Sequence, residues 1–413
     1  MKSRSLLASL AVVLVAVAGP ASSPASPGEN AVTAWSRIAE SAITVGRPPA
    51  SSQVLAGMVH AAIYDAVAAT EGGLEPFLAS PLAESGASPE AAVATAAHDI
   101  LVVRIPAQAG TVDAQYTAFM SAIPNGSAKT DGMALGAEVA AEILALRAND
   151  GFDNVVPFVQ PAPGPGVWEP TPPPPTPVDV KLKHVQPFTF DSPSDFRPNG
   201  PLDLNSGRYA ADLAEVEAYG RSNSTVRTQE QTDTARFWVE NTFVQWSRTL
   251  RELANSRGFD LRESARLLAL VHVATADAMI ACFEAKYYFL FWRPIHAIHR
   301  ADEDGNEKTE PDLTWTPFLI VNHPEYPSGH ACFTGAVTEA LQVYFGTDRL
   351  PLTISSTFTG TTRSYERLSE IRAEVANARV WSGLHFRTTM EEGAKLSRKV
   401  VRHVASHYFR ATG

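Results

Sequence analysis

The chain has 413 residues, 45% of them hydrophobic, so it can bury one large core or two ordinary ones and reads as a globular protein. A formal net charge of −10 argues against a nucleic-acid partner, because contact with a phosphate backbone calls for a basic face; small anions still fit a local cationic pocket. With only two cysteines, Cys282 and Cys332, a disulfide framework and cysteine-based zinc or haem-attachment motifs are excluded, leaving one bridge or two separate buried thiols.

In chain order, residues 1–28 read as a signal peptide and an unstructured N-terminus. Lys2 and Arg4 precede an apolar run from Leu6 to Val17, and Ala16-Val17-Ala18 offers a small-residue cleavage site. The run is shorter than the roughly 20 residues of a membrane span, and Gly19-Pro20 closes it, so the expectation is a secreted protein without a membrane anchor after cleavage. From residue 29 to 413 one all-helical domain is expected. Val54, Leu55, Met58, Val59, Ala62, Ile63, Ala66 and Val67 recur at three and four, and Ser88-Pro89-Glu90 opens a second helix over Ala91 to Ile105. Ten prolines between Pro157 and Pro177 forbid a helix there. A flexible linker is one reading of this stretch; a long loop at about 156–180, wrapped over one core and anchored by Phe158, Val167 and Trp168, is preferred. Helical texture then predicts elements near 205–219, 229–255, 260–292, 330–345, 365–382 and 389–409, and no run of alternating residues predicts a sheet.

Three segments carry chemistry. In the first, Lys286 and Arg293 lie seven apart at the end of an apolar helix, which places both cations on one face two turns apart, with Pro294 ending the helix after Arg293. Crowding aromatic residues favour an interior cavity over two solvated charges. In the second, His323-Pro-Glu-Tyr-Pro-Ser328-Gly329-His330 leads into a helix. Ser328 either merely caps that helix or, with the free amides of Gly329 and His330, helps receive an anion. His330 is placed to pass protons near neutral pH. In the third, Arg379 and His385 lie six apart, on different faces of a continuous helix, and converge only if Gly383 breaks it. Together these groups make a donor-rich cage for a tetrahedral or trigonal-bipyramidal oxyanion.

These segments resemble the signatures of the vanadium-dependent haloperoxidase and type 2 phosphatidic acid phosphatase superfamily: Lys-x6-Arg-Pro, Pro-Ser-Gly-His, and Ser-Arg-x3-Gly-x-His-x3-Asp. The first two are complete; the third holds at Arg379, Gly383 and His385, with Ala378 in place of the serine and Thr389 in place of the aspartate. Gly164 to Pro170 and Phe188 to Pro198 are similar to the bacterial secreted haloperoxidase-like branch. The resemblance implies an all-α helical bundle of the haloperoxidase and acid phosphatase type. It also implies vanadate held by Lys286, Arg293, Ser328, Gly329 and Arg379, with His385 as the ligand to the metal. His330 would act as acid and base, and Lys286 would polarise peroxide, so that hydrogen peroxide and a halide, with a small organic acceptor, are the expected partners. His323, Phe283 and Trp292 would line the halide pocket, and a histidine at 323 points to bromide or iodide rather than chloride. Thr389 cannot carry the charge that orients and strengthens His385 in the family, a task then left to Glu391, Glu392 or a distant acidic residue.

The alternative is a secreted acid phosphatase that binds phosphate in the same cage and works through a phosphohistidine at His385, with His330 protonating the leaving group. A third reading is a helical binding protein without activity, which draws on the lost aspartate.

Overall fold

The computed structural model describes residues 28–78, 83–171 and 176–412. The signal-peptide expectation falls on residues outside that range. Among the described residues the first half is built from α1 (Ala31–Ile43), α2 (Pro49–Glu71), α3 (Pro89–Arg104), α4 (Ala109–Ser121) and α5 (Ser127–Leu146). Ser88 caps α3 by accepting the amide of Ala91, and Pro89 sits where its missing N–H costs nothing.

Beyond the proline-rich loop come α6 (Gly207–Gly220), α7 (Gln229–Phe237), α8 (Thr242–Ser256), α9 (Leu261–Phe289), α10 (Pro294–His299), α11 (Gly329–Phe345), α12 (Leu368–Trp381) and α13 (Arg387–His407). The 29 residues of α9 form the axis of the molecule, with α2 along one side and α11 and α13 along another. By length and composition α9 could cross a membrane, yet its apolar window is 100% buried inside the bundle. One apolar cluster runs from Ala31 to Phe409, and a smaller one gathers Tyr209, Leu213, Phe291, Trp292, Trp315 and Phe386. Cys282 of α9 and Cys332 of α11 are joined in a disulfide, with Cα atoms 6.4 Å apart, so the bridge is the arrangement adopted.

Three departures from the sequence reading matter for the site. The helix expected near 229–255 is two helices, because Asn241 turns its side chain onto the amides of Phe243 and Val244 and starts α8 afresh. The helix expected to reach residue 292 stops at Phe289, where Leu290 adopts a left-handed conformation at φ 49°. A small antiparallel hairpin, β1 (Leu352–Ser356) with β2 (Thr361–Tyr365), was not foreseen, since its second strand is polar and only its last residue is buried.

The proline-rich loop is pinned to the bundle at the end of α9. Trp168 is fully buried and its amide donates to the Leu290 carbonyl at 2.7 Å; the Trp292 amide donates to Gly166, and Phe158 packs on Trp168 and Tyr287.

Candidate functional site

All three chemical segments meet at one place. Lys286 lies on the last turns of α9 and is fully buried; its ammonium donates to the carbonyls of Pro324 and Glu325 at 2.8 and 3.0 Å. Arg293 does not share a helical face with it, contrary to the expectation from their spacing. The left-handed Leu290 reverses the chain, and Arg293 becomes the residue before Pro294 at the start of α10. Its guanidinium reaches the site by this turn, donating to the carbonyls of Leu384 (2.7 Å) and His323 (2.8 Å) and lying 3.1 Å from Nε2 of His385.

Ser328 is the N-cap of α11, its hydroxyl accepting the Ala331 amide, so the first amides of that helix have no partner within it. Arg379 and His385 converge as the glycine requires. The last turn of α12 gives way at Gly383, which has φ 75°, and any Cβ there would stand 2.5 Å from the Gly220 carbonyl oxygen. The Leu384 amide then donates back to the Arg379 carbonyl, turning His385 toward the arginine before α13 begins.

The electrostatics are one-sided. Lys286, Arg293 and Arg379 are each at most 3% exposed, and one carboxylate, Glu325, stands among them. Burial lowers Arg293 to about 10 and Arg379 to about 9, which leaves both charged at neutral pH, while burial and the neighbouring Arg293 push Lys286 well below the ordinary lysine range. Burial, reinforced by the nearby cations, holds His323, His330 and His385 well below the usual histidine value, so the imidazoles are neutral. Buried charge without a full counter-charge is costly, and an anion bound among these groups would offset that cost.

Two further observations fit a tetrahedral oxyanion. Nε of Arg379 is buried with no partner, while Nη1 donates to the Trp238 carbonyl at 3.1 Å. Gly329 leaves open the space where a Cβ would come within 3.7 Å of Cε of Lys286. The donor set, three cations with a helix start, a serine hydroxyl and a neutral imidazole lone pair, is that of an anion cage.

His323 and Phe283 stand together, ring centroids 5.6 Å apart, and Nδ1 of His323 takes a 2.8 Å hydrogen bond from Arg293. Trp292 is not brought into that pair: it is fully buried in the smaller apolar cluster with Tyr209 and Trp315.

Sequence reasoning missed three contributors. Nδ1 of His385 is 2.8 Å from Oε1 of Glu325, whose Oε2 accepts the Thr389 hydroxyl at 2.7 Å. Glu391 instead pairs with Arg208 and Glu392 with Lys395, both toward the surface. Burial pushes the Glu325 carboxyl up to about 7, although Arg293, Thr389 and Lys286 all favour its charge. The signal was an acidic residue among the prolines of His323-Pro-Glu-Tyr-Pro-Ser, two residues before the motif. The other two come from the break between α7 and α8. It frees the Trp238 carbonyl, which serves Arg379 and the His330 ring, and it presents Thr242, whose hydroxyl is 3.3 Å from Nε2 of His330.

Fold and site together define a helical bundle closed around a buried cluster of cationic and hydrogen-bond-donating groups. Residues 266–412, which hold all three segments, match the family described as the VCPO second helical-bundle domain. That matched stretch is about a third of the chain, and the likeness to vanadium-dependent haloperoxidases extends to individual proteins in sequence and in fold. The vanadium chloroperoxidase of Curvularia inaequalis is 36% identical over 105 residues, which make up 23% of this chain and 16% of that protein's length. A bacterial vanadium-dependent iodoperoxidase superposes with a TM-score of 0.77 at 24% identity, over 93% of this chain and 97% of that one. The holo form of a bacterial vanadium-dependent chloroperoxidase gives 0.67 at 19% identity, over 87% and 93%.

Proposed function

We propose that this chain is an exported vanadate-dependent haloperoxidase that oxidises bromide or iodide with hydrogen peroxide to hypohalous acid. The observation that carries the reading is the set of buried cationic side chains gathered around Nε2 of His385, whose other ring nitrogen is held by Glu325. Its likeness in fold to an iodoperoxidase, and the histidine at position 323, favour the softer halides.

The donor set suits vanadate: Lys286, Arg293, Ser328, the Gly329 amide and Arg379 would hold its oxygens, and His385 would be the ligand to the metal. When bound, it supplies a Lewis acid that activates peroxide without changing oxidation state. The residues of the chain do the rest. Lys286, with two of its donors spent on carbonyls, directs the remaining one toward the anion. His330, neutral and supported by Thr242 and the Trp238 carbonyl, accepts and returns a proton. With Nδ1 bonded to Arg293, His323 keeps its proton on Nε2, a donor for a halide beside the ring of Phe283.

A second reading has support in the same geometry. The Nε2 lone pair of His385, backed by a carboxylate on Nδ1, is also what a nucleophile toward phosphorus needs, and phosphate shares the shape and charge of vanadate. Bromination of monochlorodimedone with vanadate and peroxide, run beside hydrolysis of p-nitrophenyl phosphate, separates the two. The expected result is halogenation that needs vanadate and is lost in His385→Ala; hydrolysis without halogenation assigns the chain to the phosphatases, and silence in both assays removes the enzyme reading.

A further inference from the structure

We infer that Glu325 is the positioning residue of His385: the orienting carboxylate that the resemblance implies at position 389, in the first turn of α13, is supplied here from the loop before α11, with Thr389 holding it in place. The inference rests on the reading of the pocket as an oxyanion site with His385 as its nitrogen donor.

Glu325 is fully buried and both of its oxygens are committed. Oε1 accepts from Nδ1 of His385 at 2.8 Å and from the Phe386 amide at 3.0 Å; Oε2 accepts from the Thr389 hydroxyl at 2.7 Å. Three donors from a single stretch, 385–389, hold the carboxylate so that it cannot swing away. Because it accepts, the proton of the neutral imidazole is on Nδ1, and Nε2 keeps its lone pair on the side of Arg293, 3.1 Å away. The ring and the peptide that follows it are tied to the same oxygen, which fixes the orientation of His385 as well as its tautomer.

Thr389 is what this geometry requires. An aspartate there would bring a second carboxylate within hydrogen-bond distance of the first in a buried site, where two like charges repel with little screening. The threonine hydroxyl donates to Glu325 instead, and the Thr389 carbonyl receives the Ser328 amide at 3.4 Å, so the start of α13 is bonded to both the loop and the cap of α11. Glu325 also acts on the other side of the cage, since its backbone carbonyl accepts Lys286 at 3.0 Å. One loop residue therefore orients the lysine with its main chain and the histidine with its side chain.

The test uses the full chain and four variants: Glu325→Gln, Glu325→Asp, Glu325→Ala, and Glu325→Ala combined with Thr389→Asp. Binding of orthovanadate and of inorganic phosphate is measured by calorimetry. The tautomer of His385 is read from its ring ¹⁵N shifts, assigned with His385→Ala. Glu325→Gln is expected to weaken orthovanadate binding by about 10- to 100-fold, and Glu325→Ala, which leaves Nδ1 without its acceptor, to move His385 away from the Nδ1–H form. Glu325→Asp keeps the charge and should hold that form even if the glutamine variant is too unstable to study. Thr389→Asp, one bond longer toward the vacated place, should recover most of the affinity lost in Glu325→Ala. Unchanged binding in Glu325→Gln, or an unchanged tautomer in Glu325→Ala, overturns the positioning role, and a double variant no better than Glu325→Ala shows that a carboxylate at 389 cannot take the place of Glu325. If the wild type binds neither anion, the reading of the pocket falls by itself, and the tautomer measurement still decides the role of Glu325.

Discussion

At the level of single residues, the site is a set of charges whose neighbours do not neutralise them, and Arg379 is the extreme case. It is 3% exposed, no carboxylate acts on it among the described residues, and its Nε has no partner. A buried cation without an answer costs stability, and an apolar residue of similar length removes that cost. Arg379→Met should therefore unfold at a higher temperature than the wild type in buffer without vanadate or phosphate, by about 1 kcal/mol or more in stability. With excess orthovanadate the order should reverse: the wild type gains about 2.7 kcal/mol at a hundredfold excess over Kd, and the variant gains little. Thermal melts with and without the anion measure both; a variant that is less stable in plain buffer would mean that the bond from Nη1 to the Trp238 carbonyl outweighs the desolvation of the charge. The cage residues were legible because chemistry needs their types at their spacings. Glu325 was not, because a carboxylate acting through a histidine can be supplied from either side in three dimensions, and only the fold shows from which.

Among the elements, the site depends on where helices stop. The sequence showed the end of α12, because a glycine between an arginine and a histidine six apart has a geometric purpose. It did not show the end of α9 at Phe289, since Leu290 and Phe291 continue an apolar pattern and the left-handed turn is imposed by the loop bonded to it through Trp168 and Gly166. Nor did it show the break after Phe237, where the local preference for helix on both sides hides the cap at Asn241. The role of Gly383 can be isolated by comparing two glycines. Gly346, after α11, has φ 70° and nothing within 4 Å of an added Cβ, so Gly346→Ala should cost only the backbone strain of about 1–2 kcal/mol. Gly383→Ala meets the Gly220 carbonyl and Pro317 as well, so it should cost distinctly more, about 3 kcal/mol or above. Only the second should also weaken orthovanadate binding, because the displaced turn carries His385. Urea unfolding and calorimetry on the two variants give the comparison; equal losses in both would remove the close packing at Gly383 from the account.

For the molecule as a whole, two buried carboxyls outside the site make the stability depend on pH. Asp65 of α2 accepts the amides of Phe77 and Leu78, and Asp277 of α9 accepts the amides of Phe188 and Thr189, so each holds a loop against the main core. Burial raises Asp65 to about 7 and Asp277 to about 6, against the pull of those donors. Both folded values lie above the ordinary 3.8, so the protonated carboxyls stabilise the folded state. That contribution is fully present below pH 3.8 and is lost as the pH rises through 6 for Asp277 and 7 for Asp65. Asp277→Asn has a fixed neutral side chain and carries a constant penalty for the acceptor it loses. The stability of the wild type relative to this variant should consequently fall between about pH 4 and pH 6, by at most about 1.4 kcal/mol per pH unit, and level off above. Urea unfolding at unit steps from pH 4 to pH 8, with Asp65→Asn carried in parallel, tests the sign; for Asp65 the fall should continue to pH 7. A difference that stays flat, or grows with pH, would show that the amide donors keep these carboxylates ionised in spite of their burial.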